Sequence, residues 1–229
     1  MEKRRDWLTV ENLGFFLVLS GIAVILIGHL MEYGALSLRQ LFLDAYANAG
    51  SEMLSIAVTI LIIDGLYRRR EAAAYRDQLI RQMGSKDSST ALRAVDELRS
   101  LGHLTNGTLQ HADLKYGNLA GAILSSADLR AAYLSFANLN GADLRDANLQ
   151  EAILRNADLR DALLLNANLT NAKLLEADLS RANLHGAALA GANLAGANLL
   201  GARGVTEEMI AQAATLAGAI LPNGSRHAG

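Results

Sequence analysis

The sequence predicts a β-solenoid preceded by an α-helical transmembrane hairpin. Three observations predict it. Every fifth residue from Leu104 to Leu199 is Leu, twenty in succession. The residue two before each is Ala or Gly, from Gly102 to Ala197. The first seventy residues differ from the rest: two apolar runs lie there between basic flanks.

The first run, "LGFFLVLSGIAVILIG", covers 13–28 and extends to a span of about 11–31. A bilayer needs roughly 20 apolar residues per helix. The second, "MLSIAVTILII", is shorter and lies between Glu52 and Asp64. With its neighbours it makes a span of about 47–67, and Asp64 has Arg68 one helical turn on as a partner. Lys3, Arg4 and Arg5 precede the first run, and Arg68, Arg69 and Arg70 follow the second. Positive charge on both flanks implies that both ends of a 1–70 hairpin lie in the cytoplasm, with the lipid bilayer as its partner. Two alternatives exist: a signal peptide, with "YGALS" as the nearest cleavage site, or a single span.

Residues 71–101 read as a juxtamembrane helix followed by an N-capping helix. "EAAAYRDQLIRQM" is a good helix former. "GSKDSST" breaks it and offers Ser88, Ser89 and Thr90 as caps for a second helix to about Leu101. Leu92, Val95, Leu98 and Leu101 form its apolar stripe, with the open end of the repeat as the surface to cover.

Residues 102–204 carry the five-residue repeat. A coiled coil needs a period of 3.5 and a strand a period of 2. A unit of five works when each unit makes one straight side and one corner. Four sides then close one square coil. Leu144, Leu149, Leu154 and Leu159 form one such core layer, with Ala the only side chain that fits beside them. Stacked coils pair as parallel sheet. The pattern appears as "ADL" at Ala112, Ala127, Ala142, Ala157 and Ala177, and as "ANL" at Ala137, Ala147, Ala167, Ala182, Ala192 and Ala197. It resembles the pentapeptide-repeat family, A(D/N)LXX. The resemblance implies a right-handed quadrilateral β-helix of about five coils, near 24 Å long at ~4.8 Å per coil. The whole chain also resembles a bacterial architecture in which a two-helix hairpin anchors such repeats in the inner (cytoplasmic) membrane.

The beat fails at Gly204. Residues 205–222 read as a C-terminal capping helix, with Thr206 at its start, and a last strand. Residues 223–229 read as a disordered tail.

Chemistry is scarce. There is no Cys, one Pro, and a net charge of −2 in 229 residues. The five His are scattered without metal-ligand spacing. The reading is therefore a non-enzyme with no catalytic, cofactor-binding or metal site. Outward rows carry Asn or Asp, as in Asn118, Asn138, Asp158, Asp178 and Asn198, and Arg160 and Arg181 are placed to offset the two Asp charges. One side breaks that rule. Tyr133 and Ile153 replace Asp or Asn there, with Tyr116, Phe136 and Leu175 close by. This candidate interaction patch has three readings: covered by the chain's own helix 71–101, of no consequence, or a docking face for an unknown cytoplasmic protein or a second copy (a homo-oligomer). Ile123, Leu163 and Leu165 break the rule on another side. The function expected is a membrane-anchored scaffold for protein–protein interaction. The alternative, taken from a branch of the resembled family, is a DNA-mimicking inhibitor of a topoisomerase such as gyrase. Between Leu104 and Gly204 nine acidic residues face eight basic ones, too even for a DNA mimic. No nucleic-acid partner is expected.

Overall fold

A computed structural model describes residues 38–228 of the chain, and side chains from residue 55 onward with the exception of 57. It falls into two units, 1–70 and 71–229. The expected first span, 11–31, lies outside the described residues.

Helix α1 covers Leu38–Met83. Ile56, Ile60, Leu61, Ile62 and Leu66 are exposed on it, Leu61 to 70%. The expected Asp64–Arg68 pair is present at 2.8 Å. Among the described residues no helix is long and apolar enough to cross a membrane. The expectation of a crossing at 47–67 is corrected accordingly. The apolar core of that segment is short, and charged residues bound it on both sides.

In the second unit the last turns of α1 and helix α2, Ser88–Ser100, close the N-terminal end of the repeat. Leu79 and Met83 join Ala91, Ala94, Val95 and Leu98 in one core with the repeat leucines. The expected stripe shifts: Leu101 is 48% exposed, and Ala91 and Ala94 take the inner face. The cap also shifts. Asp87, not a Ser or Thr, begins α2, accepting from Thr90 N at 2.8 Å, Thr90 Oγ1 and Ser89 Oγ. Those three donors hold its carboxyl at a pKa of about 2. A carboxylate also suits the positive end of a helix. The chain then passes very close to the first coil. Asn118 N donates to Ser85 O at 2.8 Å. A Cβ on Gly117 would sit 3.1 Å from Met83 O. Gly occupies an Ala position here because α1 ends against it.

The repeat is a four-sided parallel β-helix. Each side is a stack of bridges that join a residue to its counterpart one coil on. Face I runs Asp113–Tyr133–Ile153–Lys173–Asn193. Face II runs Asn118–Asn138–Asp158–Asp178–Asn198, face III Ile123–Asp143–Leu163–Asn183–Arg203, and face IV Asp128–Asn148–Asn168–Ala188. The rungs are regular: Leu144 N donates to Leu163 O at 2.8 Å and Leu163 N to Ala142 O at 2.9 Å. Leu144, Leu149, Leu154 and Leu159 are all 0% exposed, and their Ala partners are buried beside them. Full burial of a Leu side chain contributes about 1.5–3 kcal/mol, so the ladder is the main source of stability.

The corners are closed by i→i+3 hydrogen bonds such as Ala147 N to Leu144 O, 3.1 Å. From Leu109 to Leu199 the residue two after each Leu has positive φ, the signature of the third position of a type II turn. Thirteen non-Gly residues from His111 to Arg181 take this conformation. From Gly186 to Gly201 all four corner residues are Gly.

The C-terminal end departs from expectation twice. Gly204 stands where Leu is due because the chain there crosses His185, and a Cβ would lie 2.5 Å from His185 N. Helix α3, Glu207–Gln212, is short and buries no residue completely. Thr206 caps it as expected, accepting from Met209 N at 3.2 Å. The helix replaces one side of the last coil. The beat then resumes: Thr215 pairs with Asn193 and Ile220 with Asn198, with Leu216 and Ala219 buried beneath. The residues expected to be a disordered tail are ordered through 228. Arg226 pairs antiparallel with Ile220, and His227 N donates to Ala219 O at 2.8 Å. A short hairpin thus covers part of an edge that would otherwise offer unpaired backbone groups.

Candidate interaction surface

The outward residues sort by face. On face II the expected ladder forms: Asn138 Nδ2 donates to Asn118 Oδ1 at 3.0 Å, and Asn198 Nδ2 to Asp178 Oδ1 at 3.2 Å. Side-chain oxygens of the row also accept from a backbone N–H two residues on, as Asp158 Oδ1 does from Arg160 N at 3.1 Å. These are turn-forming bonds of Asn and Asp. They satisfy the corners and leave the row little capacity for a ligand.

Charges on the rod are mostly paired locally. The triplet Asp–Leu–Arg recurs at Asp128–Arg130, Asp143–Arg145 and Asp158–Arg160. In each the guanidinium grips its carboxylate through two nitrogens, at 2.6–2.9 Å. The Arg partner holds all three carboxyls below the usual carboxylate range, against a smaller upward push from burial. Successive triplets lie three sides apart on a four-sided coil, which places the pairs on faces IV, III and II in turn. Arg160 meets Asp158 as expected. Arg181 does not meet Asp178. It reaches the previous coil and grips Asp161 at 2.7–2.8 Å. It sits at a corner directly above Asp161, whereas Asp178 is occupied by Ser180 N and Asn198.

Face I differs. Tyr133 and Ile153 are adjacent rungs. At the neighbouring corner the Tyr116 and Phe136 rings stack at 5.2 Å, 6° from parallel. These three are all the aromatic residues after Tyr75. Tyr116, Phe136 and Tyr133 are 52%, 48% and 37% exposed. Ile153 and Leu175 are half-buried. The helical segment 71–101 therefore does not cover the patch: it closes the end of the rod, and Lys86 reaches the patch, its Nζ 5.5 Å from the Tyr116 ring centre. Lys115 Nζ lies 4.9 Å from the Tyr133 ring centre. Neither cation–π contact follows from the repeat pattern. Lys86 comes from the loop that crosses the first coil, and that crossing is a property of the packed molecule. The second apolar group is not continuous, since Asp143, held by Arg145, separates Ile123 from Leu163.

Among the described residues no group of three or more His, Asp or Glu is placed to hold a metal ion.

The family model for pentapeptide repeats matches in eight copies, over residues 103–135, 127–164 and 162–201. No curated protein matches. Among solved structures, the chain is similar to a pentapeptide repeat protein of the Arabidopsis thaliana thylakoid lumen, at 30% identity over 44% of this chain and 69% of that one, TM-score 0.37. It is similar to Rfr23 of the cyanobacterium Cyanothece, at 46% identity over 34% of this chain and 54% of that one, TM-score 0.34. It is also similar to HetL of the cyanobacterium Nostoc, at 36% identity over 52% of this chain and 61% of that one, TM-score 0.26. The chain thus spans less than two thirds of either cyanobacterial protein. On its eight matched repeats, the chain belongs to the pentapeptide-repeat family, whose fold is the right-handed β-helix.

Proposed function

We propose that the chain is a non-enzymatic scaffold, held at the cytoplasmic face of a bacterial inner membrane, that presents its β-helix to a cytoplasmic protein. One observation carries the docking part. A contiguous aromatic and apolar group, Tyr116, Phe136, Tyr133 and Ile153, lies on one face of a rod whose Asp–Leu–Arg triplets on the other faces are paired within themselves. Contiguous exposed apolar groups of this kind mark interfaces more often than isolated ones do. Support for the anchor is the apolar run at 11–31, and the basic cluster at 68–70 favours the cytoplasmic side for the repeats that follow it.

The test is affinity capture of the full chain after mild detergent extraction, with Tyr133→Ala/Ile153→Ala as control. A protein retained by the parent and lost by the double variant supports the reading. Equal recovery by both removes it. A second copy of the chain recovered in this way would make the partner the chain itself. Protease protection of a C-terminal tag in spheroplasts tests the placement. A tag cleaved without lysis removes the cytoplasmic assignment.

A further inference from the structure

On faces II, III and IV, four arginines are engaged: Arg130, Arg145 and Arg160 by the Asp two residues before, Arg181 by Asp161. On face I the same triplet reads Ile153–Leu154–Arg155. Ile153 occupies the position from which Asp grips Arg elsewhere, so Arg155 lacks the partner the repeat normally supplies. One coil on, the rung is Lys173 itself. Among the described residues neither Arg155 nor Lys173 takes part in an ion pair. Lys86 and Lys115 stand over the aromatic rings of the same face. Lys115 has Asp113 at 3.3 Å. Face I therefore combines the repeat's aromatic residues with two of the three repeat cations that stand outside the ion pairs, the third being Arg203 at the far end of face III.

We propose that face I docks an acidic protein segment carrying at least one apolar side chain. The apolar side chain packs on Tyr133 and Ile153, while carboxylates of the segment meet Arg155 and Lys173. This rests on the scaffold reading above. Charge complementarity at such a rim speeds encounter and selects the partner. Two other occupants fit less well. Stacking of nucleic-acid bases needs free ring faces, yet the Tyr116 ring is already stacked on Phe136 and has Lys86 over it. Insertion into a lipid surface needs apolar groups that project into it, yet Ile153 and Leu175 are half-buried in the ladder.

The experiment places a photo-crosslinking amino acid, p-benzoylphenylalanine, at Ser135 of the full-length chain in cells. Ser135 lies between Tyr133 and Phe136. The expected product is a protein adduct whose cross-linked peptide is net acidic. Its yield is expected to fall about tenfold with Ile153→Asp and about tenfold when membranes are irradiated at high salt. Ile153→Asp restores the Asp–Leu–Arg triplet, so Arg155 is recaptured within the family pattern. Arg155→Glu, an exposed change remote from the core, serves as the second variant and should act alike. If the protein adduct persists in both variants and in high salt, or its peptide is not acidic, the charge inference falls while the scaffold reading stands. If the adduct is lipid or nucleic acid, or none forms, both fall.

Discussion

Leu149 is 0% exposed and closed in by neighbours that repeat above and below it. Its replacement by Ala should cost about 2–5 kcal/mol, since a rigid ladder collapses little into a cavity. Chemical denaturation followed by circular dichroism measures this; a loss under about 1 kcal/mol would show that the ladder relaxes. Two glycines give a sharper comparison. Gly121 and Gly204 both have positive φ, 69° and 78°, but a Cβ at Gly121 meets nothing within 4 Å and one at Gly204 runs into the backbone of His185. Gly121→Ala should therefore cost only the left-handed conformation, about 1 kcal/mol, and Gly204→Ala clearly more, read as the larger fall in melting temperature. At this scale the sequence was highly legible. Leu and Ala announce their burial by period alone. Gly204 announced that the beat fails, but its reason, the crossing at His185, needs the folded path. Ile153 announced a missing Asp. What it leaves behind, an Arg155 without its usual partner, becomes visible only once the pairs at 128, 143 and 158 are seen to be bidentate.

Among the elements, α2 depends on a single residue for its start. The Asp87 carboxyl has a pKa of about 2 in the fold, below its ordinary value of 3.8. A depressed folded value means the cap stabilises α2 above the ordinary value and is lost as pH falls from there through about 2. Protection of the α2 amides against hydrogen exchange, relative to the intrinsic rate at each pH, should fall across that window in the parent. Asp87→Asn keeps a capping oxygen without the titration, so its protection should stay flat there. The C-terminal elements give another expectation. Truncation after Pro222 removes the antiparallel pairing of Arg226 with Ile220. The bared edge should then promote concentration-dependent association, seen by light scattering of the truncated chain against the parent. Element ends were the least legible part of the sequence. The 205–222 segment combines helix formers with a resumed Ala–x–Leu beat. Local propensity extends the helix, while pairing with Asn193 and Asn198 ends it at Gln212. The tail is short and polar, and only a neighbouring edge gives it structure. The cap on α2 went to Asp87 because four side chains in a row could accept, and the carboxylate accepts the most bonds.

For the whole molecule, charge balance sets the expectation toward DNA enzymes. The rod's nine acidic residues include Asp128, Asp143, Asp158 and Asp161, all held by arginines. Such a surface presents little of the dense negative charge of a duplex. The full chain should leave gyrase supercoiling unchanged at concentrations well above stoichiometric. Inhibition in that assay would reverse the order of the two functional readings.

The square coil built from pentad sides has one more consequence, for how such a molecule changes over time. Loss or gain of one pentad, say 142–146, leaves every Leu in its layer and every corner closed. It nonetheless turns all that follows by a quarter revolution. Ile153 would then leave its place above Tyr133 and join another face. Only changes of a whole coil, four pentads together, conserve both interior and exterior. Length variation in this fold is thus quantised twice, by the pentad for survival and by the coil for recognition. Lineages that keep this docking face should vary in length beyond Leu175 without constraint from it, while pentad-sized differences between Tyr133 and Ile153 should accompany a lost or relocated partner.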